Sequence, residues 1–338
     1  MAKILLVEPP YELFSFKAGT IALFEPLGLE TIAATVPQHE LRLLDLRIEK
    51  DEKKALAGFV PDVCAFACHS YATMPSTIKT MERYRRMFPG ALNVVGGHAT
   101  LMPGMFNSPA VDAIVLGEGD ETFPELVEAH LAGRDISTVP GLALPNRGAD
   151  VVLTAARQYS GREMTEYNFP DRSLTKAYRS QYFRYDWRPM ATLVTSRGCP
   201  HRCDYCTIWK ANHGHFRIRS PEDVVAELET IAEPYVTIVD DNMLADLGRV
   251  RRFIELIRQK GIRKIFSIYA RTDTLANHPD IVRDLASIGV KRVLLGVDGF
   301  RDEDLKDRNK HNSVENNSRA LENLKKNDMQ AIGYFLVR

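Results

Sequence analysis

The feature that most restricts this chain is an alternation of short β-branched runs with helical patterns, met twice along its 338 residues. In the first series, Lys3 to Val7, Glu40 to Asp45, Asp62 to Ala67, Ala91 to Val95 and Asp112 to Leu116 read as strands. The stretches Leu27 to Val36, Glu52 to Phe59, Ser76 to Phe88 and Glu121 to Leu131 have the length and spacing of covering helices. Five buried strands separated by helices imply a parallel sheet, so residues 1–132 are expected to form a doubly wound, flavodoxin-like α/β domain. Ligands of such sheets lie beyond the carboxyl ends of the strands. Those ends carry Glu8 to Tyr11, Cys68 to Tyr71, Gly96 to His98 and Gly117 to Gly119.

A second series runs from 191 to 338, with Ala191 to Thr195, Tyr235 to Val239, Lys264 to Tyr269, Lys291 to Val297 and Ala331 to Val337 as strands. Its helices are well signalled. Ser220 caps one with Pro221 at its first position, and Val224, Val225, Leu228 and Ile231 form the apolar stripe. Leu247, Val250, Phe253, Ile254 and Ile257 repeat the pattern as far as Gly261, and a third helix runs from Pro279 to Gly289. The expected architecture is a partial (β/α) barrel. Between the two series, residues 133–190 read as an aromatic-rich interdomain connection. It holds Tyr159, Tyr167, Phe169, Tyr178, Tyr182, Phe183, Tyr185 and Trp187. These rings are expected to pack over a domain surface, the alternative being that some line a cavity. The chain stops at Arg338 directly after its fifth barrel strand. An uncovered strand edge invites aggregation, so the barrel is expected to be truncated here and the polypeptide to continue.

The chemistry concentrates in Cys199, Cys203 and Cys206, three of the five cysteines, on the loop after the first barrel strand. A cysteine, three residues, a cysteine, two residues and a cysteine can wrap three thiolates around one small inorganic cluster and leave a fourth metal position open. Zinc is the alternative, with His201, His213 or His215 completing a tetrahedron. Structural zinc loops, however, draw paired ligands from separated knuckles, whereas here all three thiols emerge at the carboxyl end of a barrel strand, where the active sites of such folds lie.

The loop, with aromatic Tyr205 before its last cysteine, resembles that of the radical S-adenosylmethionine (SAM) enzymes. The resemblance implies a 4Fe-4S cluster on Cys199, Cys203 and Cys206 that binds SAM and releases a 5′-deoxyadenosyl radical. It also implies SAM contacts at Tyr205, at Asp240, Asp241 and Asn242 after the second strand, at Arg271 after the third and at Asp298 after the fourth. The amino-terminal domain resembles the cobalamin-binding module that precedes the radical domain in one subgroup. That implies cobalamin contacts at Ser70, Gly96, Gly97, Gly117, Glu118 and Gly119, where small residues let a backbone approach a bulky planar ligand. Cobalamin modules that supply an axial histidine carry Asp-x-His-x-x-Gly after the first strand. Here that loop, residues 8–20, has no histidine, which excludes ligation from it.

Within the subgroup, Phe24 to Glu30, Leu44 to Arg47 and Gly333 to Val337 look like hopanoid C-3 methylases and their relatives. The implied activity is transfer of a methyl group to an unactivated carbon of an apolar polycyclic or tetrapyrrole substrate. It would use two SAM molecules, cobalamin and an electron donor such as flavodoxin or ferredoxin. An oxidative cyclase of the Mg-protoporphyrin monomethyl ester type shares the two-domain plan, and a noncatalytic cobalamin- or SAM-binding module is the reading from a different class.

Composition narrows the partners. Forty-four basic and 44 acidic residues cancel, which removes the positive field that drives nonspecific nucleic-acid binding. No stretch approaches the roughly 18 apolar residues of a membrane span, and Lys3 to Val7 is too short for a signal peptide, so a cytoplasmic protein is expected, with peripheral membrane contact left open by an apolar substrate. Cys64 and Cys68 sit in an apolar run and are expected to be core thiols. His69 and His98 stand at strand ends, able to touch a cofactor or merely to cap a loop. The run Arg249, Arg251, Arg252 is expected on the solvated face of a helix.

Overall fold

The structure is a computed structural model that describes residues 1–11, 21–146, 149–157, 164 and 168–336. Tyr159, Tyr167, Val337 and most of the loop after the first strand lie outside the described residues. The chain divides into two compact units, Met1–Arg162 with Tyr167–Asp186, and Trp187–Arg338 with Glu163–Glu166.

In the first unit, β1 (Lys3–Glu8), β2 (Glu40–Asp45), β3 (Val63–Ala67), β4 (Leu92–Gly96) and β5 (Ala113–Val115) form a parallel sheet in the order β2-β1-β3-β4-β5. Successive β1 side chains point to opposite faces. Ile4 and Leu6 pack with Leu29, Phe123 and Leu126, whereas Leu5 and Val7 pack with Met81, Tyr84 and Phe106. Helices α1 (Leu27–Ala33) and α3 (Gly119–Leu131) supply the first set, and α2 (Met74–Met87) contributes Met81 and Tyr84 to the second. Both faces are therefore covered, each fully buried apolar side chain contributing about 1.5–3 kcal/mol.

The sheet then continues where the sequence reads as a connection. Strand β6 (Leu142–Leu144) adds antiparallel to β5, and β7 (Val152–Leu153) adds antiparallel to β6. They are three and two residues long, too short for periodicity to reveal. Farther on, Tyr182 is fully buried with its hydroxyl donating to Asp45 at 3.2 Å, and Tyr178 donates to Glu49 at 3.2 Å. These rings pack on the first unit.

The second unit is built on β8 (Met190–Leu193), β9 (Tyr235–Ile238), β10 (Ile265–Arg271), β11 (Val290–Gly296) and β12 (Gln330–Tyr334). All pair in parallel and in chain order, β8-β9-β10-β11-β12, the arrangement of a partial barrel. Helices α4 (Pro221–Thr230), α5 (Leu247–Gln259), α6 (Thr272–Asn277), α7 (Pro279–Ser287), α8 (Asp302–Asp307) and α9 (Val314–Lys326) alternate with them. Ser220 caps α4 by accepting from the Asp223 amide at 3.2 Å, and Val224, Val225 and Leu228 join Phe253, Ile254, Val236 and Ile268 in one core. Among the described residues no helix is long and apolar enough to cross a membrane.

Candidate functional site

The loop that carries the three cysteines is held from below by a buried polar clamp. Beyond β8, the Thr195 amide donates to Asp240 Oδ1 at 2.6 Å, and the Thr195 and Ser196 hydroxyls donate to Oδ2, Ser196 at 2.7 Å. Asp240 is 2% exposed and pairs with Arg249, whose Nη1 also donates to the Thr195 carbonyl and hydroxyl at 3.1 and 2.8 Å. Arg249 is thus a buried positioning residue rather than part of a solvated face; Arg251 and Arg252 alone remain on that face, paired with Asp280 and Glu222. The physical reason is helical phase: Arg249 opens α5 on its inner side, while its two neighbours in the run point outward.

Gly198 turns the chain into the loop with φ +84°, and a Cβ there would stand 2.3 Å from the His215 carbonyl oxygen. Its amide donates to Asp241 Oδ2 at 3.1 Å. Ser196–Arg197 pairs antiparallel with Arg217–Ile218, closing the loop at its base. Inside it, Cys203 is buried and Cys199 and Cys206 are half-buried. The Trp209 indole donates to the Cys203 carbonyl at 3.1 Å, and Asn309 donates to the Arg202 carbonyl at 3.0 Å. Desolvation raises the Cys199 and Cys206 thiols above their ordinary values, Arg271 opposing this at Cys199. Among the described residues no three His, Cys, Asp or Glu side chains converge on a single-ion site.

The other residues expected around the loop divide by what they already bind. Asp240 is committed to the clamp. Arg271 bonds Asp273 through Nε at 3.0 Å and Nη2 at 2.7 Å and the Lys310 carbonyl at 2.8 Å, while its Nη1 lies 3.9 Å from Cys203 Sγ. Asp298, 5% exposed and strained at φ +63°, accepts from Tyr205 Oη at 2.7 Å and from Lys310. Lys310 is a buried cation that the sequence reading missed. It lies 14 residues beyond the β11 terminus, and Gly296 leaves room for its Nζ, which a Cβ there would approach to 2.9 Å. The Asp241 carboxyl is raised to about 6, chiefly by desolvation, with the Gly198 amide opposing and Asp240 adding to the rise. Asn242 differs from all of them: it is 1% exposed, and among the described residues neither its amide oxygen nor its nitrogen has a hydrogen-bond partner. A buried amide left unpaired costs about 1–3 kcal/mol, so Asn242 carries unused hydrogen-bonding capacity just beyond β9.

At the strand ends of the first unit, the six expected contact residues have different reasons to be there. Gly97 has φ +110°, and a Cβ would lie 2.6 Å from the Cys68 carbonyl oxygen, so its backbone demands glycine with or without a ligand. A Cβ on Gly119 would press Ile32 of α1 at 3.1 Å, a packing reason. Gly96 and Gly117 face space: the former would meet only Val115 at 3.8 Å, the latter nothing within 4 Å. Ser70 lies against Thr73, its amide donating to that hydroxyl at 3.3 Å, and Glu118 precedes the first turn of α3. Cys64 and Cys68 are fully buried, burial pushing the Cys64 thiol up to about 12, which makes it an inert core group. His98 is exposed at the start of a short helical turn. His69 bonds Glu8.

Comparison with known proteins matches these two halves separately. The B12 binding domain family matches residues 22–127 and the Radical SAM superfamily matches residues 193–338. The chain therefore belongs with the proteins in which a B12-binding domain precedes a Radical SAM domain. Among individual proteins it is 30% identical over 307 residues to the hopanoid C-3 methylase of Methylococcus capsulatus, covering 88% of this chain and 58% of that protein. It is 27% identical over 273 residues to the anaerobic magnesium-protoporphyrin IX monomethyl ester cyclase of Rubrivivax gelatinosus, covering 77% and 48%. The chain thus spans about half the length of these relatives. The radical SAM methyltransferase TsrM from Kitasatospora setae shares the fold at TM-score 0.77 and 18% identity, over 98% of this chain and 67% of that one. The cobalamin-dependent radical enzyme OxsB does so at TM-score 0.80 and 18% identity, over 99% and 49%.

Proposed function

We propose that this chain is a cobalamin-dependent radical SAM enzyme, a methyltransferase acting on an unactivated carbon of an apolar polycyclic or tetrapyrrole molecule. The observation that carries the reading is the pairing, at the carboxyl edge of one parallel sheet, of a three-cysteine loop with the buried, unpartnered amide of Asn242.

The donor set fits the groups that the family implies. Cys199, Cys203 and Cys206 would hold a 4Fe-4S cluster with one iron left without a protein ligand, and Asn242, Asp241 and Tyr205 would meet SAM. When bound, the cluster and SAM supply a 5′-deoxyadenosyl radical and the corrinoid supplies a transferable methyl group. The protein's part is positional. Asp240 and Arg249 fix the base of the cysteine loop, Lys310 and Asp298 hold the Tyr205 hydroxyl, and Arg271 places a guanidinium beside the Cys203 sulfur. Asp240 and Arg271 are better assigned to this scaffolding than to SAM, because their hydrogen-bonding groups are already used. An external one-electron donor such as flavodoxin or ferredoxin would be needed.

The substrate class is supported by the likeness to the hopanoid methylase, and the likeness to the cyclase favours oxidative ring closure as a second reading. The test is anaerobic reconstitution with iron, sulfide and cobalamin, followed by measurement of bound iron, bound corrinoid and 5′-deoxyadenosine. Product mass then separates the chemistries, since methylation adds one carbon and cyclisation adds none. Stoichiometric zinc without iron would overturn the proposal.

A further inference from the structure

The switch crevice of the first sheet holds a group that the strand-end glycines do not account for. In the order β2-β1-β3-β4-β5 the chain leaves β1 for one side and then crosses to the other, and ligands of doubly wound sheets bind beyond the strands at that reversal. Glu8 is the last residue of β1, and His69 stands two residues beyond β3, its neighbour. His69 Nε2 lies 2.9 and 3.1 Å from the two Glu8 carboxylate oxygens, so the pair spans the crevice.

The two partners are unlike in exposure. The Glu8 side chain is 1% exposed and that of His69 is 47% exposed. Glu8 is backed by Arg47 at 3.8 Å, and Arg47 is itself locked to Asp45 by two bonds of 2.7 and 2.6 Å and to the Tyr11 hydroxyl at 3.0 Å. A carboxylate so deeply buried and so firmly held is an expensive way to make a surface ion pair, which contributes at most about 1 kcal/mol. It is an effective way to orient an imidazole. Nε2 is consumed by Glu8, and among the described residues Nδ1 has no hydrogen-bond partner. A metal-binding histidine almost always gives its second ring N–H to a carboxylate or carbonyl, which fixes both ring and tautomer.

We infer that His69 is the nitrogen donor that the first unit presents, through Nδ1, to the metal of the corrinoid bound at its switch crevice, with Glu8 accepting the Nε2 proton. The inference rests on the corrinoid reading above. It places the donor after β3, whereas the loop after β1 contains no histidine.

The test uses the full chain loaded with cob(II)alamin, produced once with ordinary histidine and once with histidine carrying the heavy nitrogen isotope. Electron paramagnetic resonance should show a nitrogen splitting that changes from a triplet to a doublet on labelling and is lost in His69→Phe. Glu8→Gln should weaken corrinoid binding about 10-fold or more. A splitting indifferent to the label, no nitrogen splitting at all, or a label-sensitive splitting that survives in His69→Phe would overturn the assignment while leaving the corrinoid reading intact. Failure of the unaltered chain to bind any corrinoid would overturn both. The labelling experiment needs no substitution, so it decides the matter even if His69→Phe does not fold.

Discussion

Replacement of Asn242 by leucine should move stability and cofactor binding in opposite directions. Asn242 is 1% exposed with both amide atoms unpartnered among the described residues, so the SAM-free protein carries the desolvation cost of a buried polar group, about 1–3 kcal/mol. Leucine has the same branched heavy-atom outline, leaves no cavity and carries no polar atom. Asn242→Leu should therefore stabilise the SAM-free protein by about 1–3 kcal/mol, each kcal/mol raising the unfolding midpoint of a unit this size by about 2–4 °C. The same change removes a hydrogen-bonding partner from a charged ligand, a contact of about 1.5–3 kcal/mol, and should weaken SAM binding about 10- to 150-fold. Anaerobic thermal unfolding gives the first quantity and equilibrium dialysis of SAM against the iron-loaded protein the second, with bound iron as a control. A variant that is destabilised by more than about 1 kcal/mol, or that binds SAM as the unaltered protein does, would refute the assignment of Asn242 to an external partner.

Four further outcomes are expected. Alanine at Cys199, Cys203 or Cys206 should abolish bound iron and 5′-deoxyadenosine formation while corrinoid binding by the first unit persists, as read by iron analysis and the visible spectrum. Asp240→Ala strands the buried Arg249 charge and should cost about 3–5 kcal/mol in urea unfolding, whereas Asp241→Asn, which perturbs one bond to Gly198, should cost about 1 kcal/mol or less. Glu30, which accepts from Thr175, is raised from its ordinary 4.5 to about 8 by burial and by Glu25. The folded state thus holds a proton that the unfolded chain releases, and this contribution to stability is lost as pH rises from about 4.5 to about 8; Glu30→Gln should flatten that decline in unfolding measurements across the window. Gly97→Ala should destabilise the first unit by about 1–3 kcal/mol even without cobalamin, because of its φ of +110° and the Cys68 carbonyl, whereas Gly96→Ala should leave thermal stability nearly unchanged.

What the amino-acid sequence determined by itself was everything that depends on near neighbours. Apolar periodicity set all ten parallel strands of the two sheets to within a few residues, Ser220 and Pro221 marked the start of α4, and the spacing of Cys199, Cys203 and Cys206 singled out the loop after β8. Tertiary structure alone decided which polar groups are spent on the scaffold. Asp240 and Thr195 are 45 residues apart in sequence, and Arg249 and Thr195 are 54 apart, so no local pattern reveals that Arg249 turns inward while Arg251 and Arg252 stay in solvent. Lys310 reads as one more charge in a polar stretch until the space left by Gly296 brings it onto Asp298 and Tyr205. Likewise β6 and β7 are too short to carry a period and exist as strands because β5 offers an edge to β6 and β6 in turn offers one to β7. Local spacing dictates which way a side chain points from its own element, but its charge is satisfied or left waiting for a ligand only by what the fold brings to it from elsewhere.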